Sequence, residues 1–131
     1  MLDGFIGYED KSKRNYTVAS VSPKTGRIGF SEAFVKRQNL ADVKFAYLMF
    51  SPKRNQIGIE FSKTKEKAGM IKIQFRKNSG FYIGALGFLE KFDIRLSTAM
   101  FFEPIKLAGE DCVFIIDLNK PVSKGGNPVT K

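Results

Sequence analysis

The sequence repeats itself, and this repeat limits the folds open to the chain. Residues 16 to about 48 align without a gap with the residues that lie 54 positions further along. In both copies alternate residues are expected to face the core, with exposed residues between them: Thr17, Ala19 and Val21 in the first copy and Ile71, Ile73 and Phe75 in the second. A period of two predicts a strand with one buried face. A unit with one apolar face cannot bury it alone, so we expect the two copies to pack on each other.

Both copies predict the same order of elements: a strand, a turn, a short strand, a short helix and a hairpin. The first turn ends at Gly26 and the second at its counterpart Gly80, and glycine favours such turns. Ser31 is the predicted N-cap of the first helix, whereas the second helix opens at Ala85 without a side-chain cap. After the hairpin loop the offset becomes 57, because the second loop is three residues longer. A loop insertion between matched strands is typical of a diverged duplication.

The length of the chain predicts one folded domain with two arms. Its 131 residues, 43% of them hydrophobic, suffice for one compact core but are few for two. We predict a single duplicated domain over residues 16–120, with unit one at 16–62 and unit two at 70–120. Residues 1–15 are predicted to form an N-terminal arm, and residues 121–131 a flexible C-terminal tail.

The residue types that the chain lacks argue against catalysis. It has no histidine, the commonest general base and metal ligand, and its one cysteine, Cys112, cannot form a disulfide within the chain. Ser62 to Lys65 matches S-x-x-K and Lys24 to Gly26 reads K-T-G, but these motifs come in the wrong order for a serine hydrolase of that type. We therefore predict a protein that is not an enzyme and needs no metal or cofactor.

The sequence also predicts a cytoplasmic protein without a membrane partner. No stretch approaches the roughly 20 apolar residues of a membrane span. The first ten residues carry three acids, Asp3, Glu9 and Asp10, rather than the basic region of a signal peptide. A single cysteine fits a reducing compartment.

Positive charge is concentrated in the first copy and the segment that follows it. The chain has a net charge of +9. Residues 11–80 carry 16 Lys and Arg against 4 acids, whereas residues 81–131 carry 6 of each sign. A basic region of this kind indicates a polyanionic partner such as nucleic acid.

One stretch of the first copy resembles a known family. The stretch runs from Tyr16 to Leu40, contains Gly26-Arg27 at the end of its turn and Arg37 in its helix, and is followed by the hairpin from Phe45 to Phe61. It resembles the swapped-hairpin units of the AbrB, SpoVT and MraZ group. The resemblance implies that two units interlock into one barrel, either from two chains or from tandem units of one chain. It also implies DNA binding, as in transition-state regulators, antitoxins and cell-division repressors.

Repeat and resemblance together predict the fold class. We expect a mainly β protein with two short helices, in which two tandem β-β-α-β-β units form a pseudo-twofold β-barrel of the swapped-hairpin type. The sequence leaves open whether the barrel closes within one chain or is exchanged between the copies of a homo-oligomer.

The predicted function is DNA binding by a regulator or nucleoid-type protein, with double-stranded DNA as the favoured nucleic acid. In a swapped-hairpin unit the turn and the helix that it feeds lie side by side, so their basic residues are expected to share one face. Basic side chains neutralise phosphates, and an arginine on a loop reaches base edges. The predicted nucleic-acid-binding residues are Lys24, Arg27, Lys36, Arg37, Lys53, Arg54, Arg76 and Lys77.

Two other functions remain open from the sequence. The first is a structural or interaction module within a larger assembly. The second is single-strand binding, in which aromatic rings stack on bases in a basic groove. Rings considered for this role are Phe45, Tyr47, Phe50, Phe101 and Phe102, although exposed stacking is expected rather at Tyr16, Tyr47, Tyr82 or a loop ring such as Phe81.

Overall fold

The computed structural model describes residues 17–77, 80–110 and 112–123, which form eleven strands and two helices. The strands are β1 (Ala19–Ser22), β2 (Arg27–Phe30), β3 (Phe45–Ser51), β4 (Gln56–Ser62), β5 (Ile71–Lys72), β6 (Gln74–Phe75), β7 (Phe81–Gly84), β8 (Met100–Phe102), β9 (Ile105–Lys106), β10 (Val113–Asp117) and β11 (Pro121–Val122). The helices are α1 (Glu32–Arg37) and α2 (Leu86–Lys91). The prediction of a mainly β chain with two short helices is confirmed. The predicted arm at residues 1–15 lies outside the described residues.

The described strands form two antiparallel sheets. Sheet A has six strands in the order β11-β8-β1-β2-β7-β6, and sheet B has five in the order β5-β3-β4-β10-β9. Each sheet contains strands from both copies, since β2 pairs with β7 in sheet A and β4 pairs with β10 in sheet B. Neither copy therefore forms a sheet of its own.

One apolar core lies between the two sheets. Alternate residues of each strand are buried in it, for example Val21 and Ile28 from sheet A and Ile57 and Ile116 from sheet B. Aromatic rings join the layers: the Phe30 ring lies 5.4 Å from that of Phe61 in an edge-to-face arrangement. Edge-to-face pairs at this spacing stabilise a core beyond the burial of their area. Around Val21 the period of two read from the sequence is thus the alternation between this core and the outer face of sheet A. The single strand predicted over residues 71–75 is wrong, because the chain changes sheets at Ile73 and Phe75 is 50% exposed.

The predicted closed barrel is not found. The chain passes from sheet B to sheet A at Ile73, between β5 and β6, and back to sheet B at Glu103 and Pro104, between β8 and β9. The N–H of Ile73 donates to the carbonyl oxygen of Lys44, and Pro104 has no N–H to donate. The Ile73 bond still belongs to the β3–β5 side, and beyond it the chain pairs in sheet A. The described strands therefore form two sheets with separate strand orders.

The C-terminal end of the described chain belongs to sheet A. Pro121 and Val122, which form β11, pair with Phe102 and Phe101 of β8. The predicted flexible tail therefore begins with two residues that are held in the sheet, and its last residues, 124–131, lie outside the described part of the chain.

The pairing of the central strands is symmetric: exchanging the first copy for the second leaves the list of paired residues unchanged. In sheet A, Arg27 pairs with Gly84 and Phe30 with Phe81. Replacing each residue by its counterpart 54 positions away gives the same set of pairs. The β4–β10 ladder has the same symmetry at the offset of 57. Glu60 pairs with Val113, and their counterparts Asp117 and Gln56 also pair with each other. The elements of the two copies thus occupy equivalent places around the middle of each sheet.

Each turn contains one glycine that lies against the start of the helix of the other copy. Gly26 has φ +68°, and a Cβ built on it would lie 2.5 Å from the Cβ of Leu86 at the start of α2. Gly80 has φ +81°, and a Cβ there would overlap the carbonyl oxygen of Phe30 and lie 2.9 Å from the backbone nitrogen of Glu32 at the start of α1. Glycine is required at both positions, because a side chain would meet both conformational strain and backbone atoms.

The two helices begin differently, as predicted. The Ser31 hydroxyl accepts a hydrogen bond from the N–H of Phe34 at 3.2 Å and caps α1, whereas Ala85 gives α2 no side-chain cap. Each helix has only six residues, which is too short to persist without packing. Phe34 and Val35 of α1 and Leu89 of α2 are buried in the core and supply that packing.

Candidate nucleic-acid interface

The eight predicted basic residues are all exposed but lie on several elements. Lys24 is in the turn between β1 and β2, and Arg27 begins β2. Lys36 and Arg37 end α1, Lys53 and Arg54 form the tip between β3 and β4, and Arg76 and Lys77 follow β6.

The structure groups these residues differently from the sequence-based expectation. The turn that carries Lys24 packs against α2 of the second copy, where the carbonyl oxygen of Gly26 accepts a hydrogen bond from the N–H of Ala85 at 2.6 Å. The start of α1, in turn, lies against Gly80. Gly26 and Gly80 are thus each in contact with the start of the other copy's helix. The sequence-based prediction instead places each turn beside the helix that follows it in the same copy.

Lys53 and Arg54 belong to a separate place on sheet B. The backbone N–H of Arg54 donates to the Ser51 hydroxyl at 3.2 Å, and its carbonyl oxygen accepts a hydrogen bond from the Asn119 side chain at 3.1 Å. These bonds fix the backbone of the hairpin tip and leave both cationic side chains exposed.

Arg27 and Arg76 are brought together by a tyrosine on the outer face of sheet A. The guanidinium carbon of Arg27 lies 4.3 Å from the centre of the Tyr82 ring, and that of Arg76 lies 4.6 Å from it. Because β2 and β6 are the two strands that flank β7, the arginines reach the ring from neighbours on either side. Both contacts are in the range of a cation–π interaction. We call Arg27, Tyr82 and Arg76 the arginine–tyrosine cluster.

The charges of this cluster have no carboxylate partner among the described residues, where neither arginine forms an ion pair. Other cations do: Lys36 lies 2.9 Å from Glu32, Lys67 3.0 Å from Glu60 and Arg95 2.7 Å from Asp93. The guanidinium groups of Arg27 and Arg76 thus retain hydrogen-bond donors for an anion. Arginine presents these donors in a planar fork that matches a phosphate.

Small residues lie beside the cluster on the same face. One row of paired residues crosses sheet A in the order Val122, Phe101, Ser20, Gly29, Tyr82 and Gln74. The neighbours of Phe101 and Tyr82 in their own strands point inward, as the burial of Phe102 and Phe81 shows. Ser20 and Gly29 therefore form a low floor between two rings about 14 Å apart, three strand spacings. Exposed Glu103 follows β8, at the opposite side of the sheet from Arg76.

Not every ring considered for stacking is accessible. Phe81 is only 1% exposed and Phe102 is fully buried, so the expectation of an exposed loop ring at Phe81 is wrong. Phe81 lies in β7, where the alternation that exposes Tyr82 directs its neighbour into the core. Tyr47 lies on sheet B, where the ammonium group of Lys67 is 4.8 Å from its ring centre. A hydrogen bond to Glu60 raises the pKa of Lys67 above its usual 10.5.

Sequence reasoning found the members of the cluster but not their association. Arg27 and Arg76 were predicted as binding residues and Tyr82 as an exposed ring. Their proximity depends on the pairing of β2 with β7 and of β6 with β7. The sequence signal for an exposed Tyr82 was the alternation within β7, which places Tyr82 on one face of the strand and the buried Phe81 and Ile83 on the other.

The described residues contain no group of three or more His, Cys, Asp or Glu that could hold a metal ion. None of the helices in residues 17–77, 80–110 and 112–123 is both long enough and apolar enough to span a bilayer. Comparisons of the chain with family models, with curated proteins and with solved structures find no match.

Proposed function

We propose that this protein binds nucleic acid through the outer face of sheet A and acts as a cytoplasmic, non-enzymatic DNA-binding regulator or nucleoid-type protein. The observation that carries the proposal is the arginine–tyrosine cluster: two guanidinium groups without a described carboxylate partner, held against one ring on an open sheet face. Double-stranded DNA remains the favoured partner.

The physical basis is phosphate neutralisation by side chains that are already positioned. Each cation that contacts a phosphate releases condensed counterions, and this release supplies much of the affinity for DNA. A free arginine loses side-chain entropy when it binds. The Tyr82 ring reduces that loss for Arg27 and Arg76, because it restricts them before the ligand arrives. Lys77, one residue beyond Arg76 and also exposed, adds charge to the same end of the face.

The tandem architecture supports this use of the face. We propose that the chain is a duplicated unit of the AbrB, SpoVT and MraZ type, in which each copy completes the other. The matching strand registers and the reciprocal contacts of Gly26 and Gly80 support the duplication. In this proposal the first copy supplies Arg27 and the segment after it supplies Arg76. The second copy supplies the tyrosine that positions both.

A second candidate, binding of single strands, is favoured by one observation. Phe101 lies in the same row as Tyr82, with only Ser20 and Gly29 between them, and it is half-buried. A base stacked on Phe101 would place its backbone over the low floor, within reach of the cationic cluster. Stacking on an aromatic ring contributes about 1–3 kcal/mol per base. Duplex DNA has no unstacked base to offer, so the two candidates predict different ligand preferences.

The direct test is the affinity of the full chain for fluorescein-labelled duplex DNA and for labelled oligo-dT of the same length, measured by anisotropy. We expect the double variant Arg27→Ala/Arg76→Ala to bind at least about tenfold more weakly than the wild type, since two phosphate contacts are lost. Arg95→Ala is the control for the loss of an arginine away from this face, and the single variants Arg27→Ala and Arg76→Ala, which each remove one charge as it does, are compared with it directly. Equal affinities for the wild type and the double variant would refute the proposed face.

The comparison of the two ligands decides between the candidates. Tighter binding of the duplex, with no effect of Phe101→Leu, supports the DNA regulator. Tighter binding of oligo-dT, weakened roughly fivefold or more by Phe101→Leu, supports the single-strand candidate. If neither ligand binds at micromolar protein and low salt, both candidates are refuted.

A further inference from the structure

The centre of the outer face of sheet B is apolar, where a sheet exposed to water normally carries polar residues. The residues Met49, Gly58, Ile115 and Ile105 form one row across β3, β4, β10 and β9. Met49 is 37% exposed and Ile105 56% exposed, and Leu107, just beyond β9, is 43% exposed. Three of the five large hydrophobic residues exposed in the described chain thus lie on this sheet or at its edge.

This face has both a recess and projections. A hollow of about 330 Å³ lies beside Gly58, and Met49, Leu107 and Ile115 are among the residues that line it. Gly58 contributes no side chain to the row, whereas Met49 and Ile115 stand on either side of it. A surface on which projections lie next to a recess can interlock with a copy of itself turned by 180°.

The charges at the rim favour a second copy over other partners. The lining of the hollow includes Arg54, and Asp117, which bonds to Gln56 of that lining, lies at the same end of the sheet. On the other side of the row, Glu60 lies on the same face of β4 as Gly58 and is paired with Lys67 at 3.0 Å. A rim with both signs can pair with itself across a two-fold axis. The uncharged centre offers nothing to a polyanion, and apolar patches rimmed by polar residues mark protein interfaces.

We propose that this protein forms a homodimer in which the outer faces of the two B sheets pack on each other around a two-fold axis. Met49 and Ile105 form the apolar contact, and the recess beside Gly58 receives a side chain of the second copy. The inference does not depend on nucleic-acid binding. It leaves both A sheets facing outward, on opposite sides of the dimer, because each A sheet lies across the core from its B sheet.

Light scattering coupled to size-exclusion chromatography tests the proposal on the full chain. The monomer mass is 14.7 kDa. At roughly 100 μM, a concentration that populates even micromolar dimers, we expect the wild type to elute with twice that mass. Ile105→Glu and Met49→Glu, on different strands, each place a buried charge in the interface and are expected to elute as monomers.

The control is Leu86→Glu, which changes an equally exposed hydrophobic residue, 51% exposed, at the start of α2. It should remain a dimer. Circular dichroism of every variant shows whether the fold is retained, and the two test variants do not depend on each other. A wild type that is monomeric at roughly 100 μM, or folded Ile105→Glu and Met49→Glu proteins that remain dimeric, would overturn the proposal.

Discussion

Because each turn packs on the other copy, we predict that adding one methyl group at Gly80 lowers the free energy of unfolding by an unusually large amount. Gly80→Ala adds a Cβ at φ +81°, where an L-residue loses about 1–2 kcal/mol. The same atom would overlap the carbonyl oxygen of Phe30 and lie 2.9 Å from the Glu32 nitrogen. These are backbone atoms, so relief requires the end of β2 and the start of α1 to shift. Overpacking of this kind costs about 1–3 kcal/mol more, and we expect a total loss of about 2–5 kcal/mol.

Gly109→Ala provides the matched control. Gly109 has φ +82°, nearly the same as Gly80, but a Cβ built on it has no atom within 4 Å. Its substitution should cost only the conformational part, about 1–2 kcal/mol. The difference between the two variants therefore isolates the contact between the second turn and the first helix.

Urea unfolding followed by far-UV circular dichroism measures both effects. With a slope of about 2 kcal/mol per molar urea, the midpoint should fall by about 1–2.5 M for Gly80→Ala and by less than about 1 M for Gly109→Ala. Losses that agree to within about 0.5 kcal/mol would show that Gly80 does not pack closely on α1, and the exchanged arrangement of turns and helices would be refuted.

Three further predictions follow from individual contacts. Gly26→Ala should destabilise the fold by about as much as Gly80→Ala, because its Cβ would lie 2.5 Å from a side chain of α2 in the reciprocal contact; urea unfolding checks this. Ser31→Ala should cost about 1 kcal/mol in the same assay, since it leaves the N–H of Phe34 without its cap, and an unchanged midpoint would refute the cap. The pKa of Lys67 should be above 10.5 in the wild type and fall toward 10.5 in Glu60→Gln, as measured by an NMR titration of its ε-CH₂ group. Because folding raises this pKa, the pair stabilises the fold below pH 10.5 and this contribution is lost as the pH rises through the folded-state pKa; equal values in the two proteins would refute the interaction.

The elements of the fold could be predicted from the sequence because they depend on local signals. Alternation predicted β1 around Val21, and Ser31 marked the beginning of α1. The single strand predicted over residues 71–75 is instead split at Ile73 into β5 and β6, which lie in different sheets. The closed barrel could not be derived in the same way. The chain changes from one sheet to the other at Ile73 and at Pro104. Such corners depend on how two sheets meet rather than on the pattern within either strand.

The composition of the candidate site was predictable, but its geometry was not. Charge asymmetry identified the segment that carries Arg27 and Arg76. Their common contact with Tyr82 required the partners of β7, which lie some 50 residues before it in one case and immediately before it in the other. The contacts of Gly26 with α2 of the other copy could not be read from the sequence for the same reason. The sequence shows which residue types are present, whereas the side chains that become neighbours across two strands depend on the order of the strands in the sheet.

The salt dependence of duplex binding tests the central proposal most directly. Anisotropy titrations at several salt concentrations give the slope of log K against log [salt], which is about −0.9 for each phosphate neutralised. If Arg27 and Arg76 each contact a phosphate, the slope for Arg27→Ala/Arg76→Ala should be smaller than that of the wild type by about 2, whereas Arg95→Ala should leave it unchanged. A wild type without salt-dependent binding, or a double variant with the wild-type slope, would contradict nucleic-acid binding through this face.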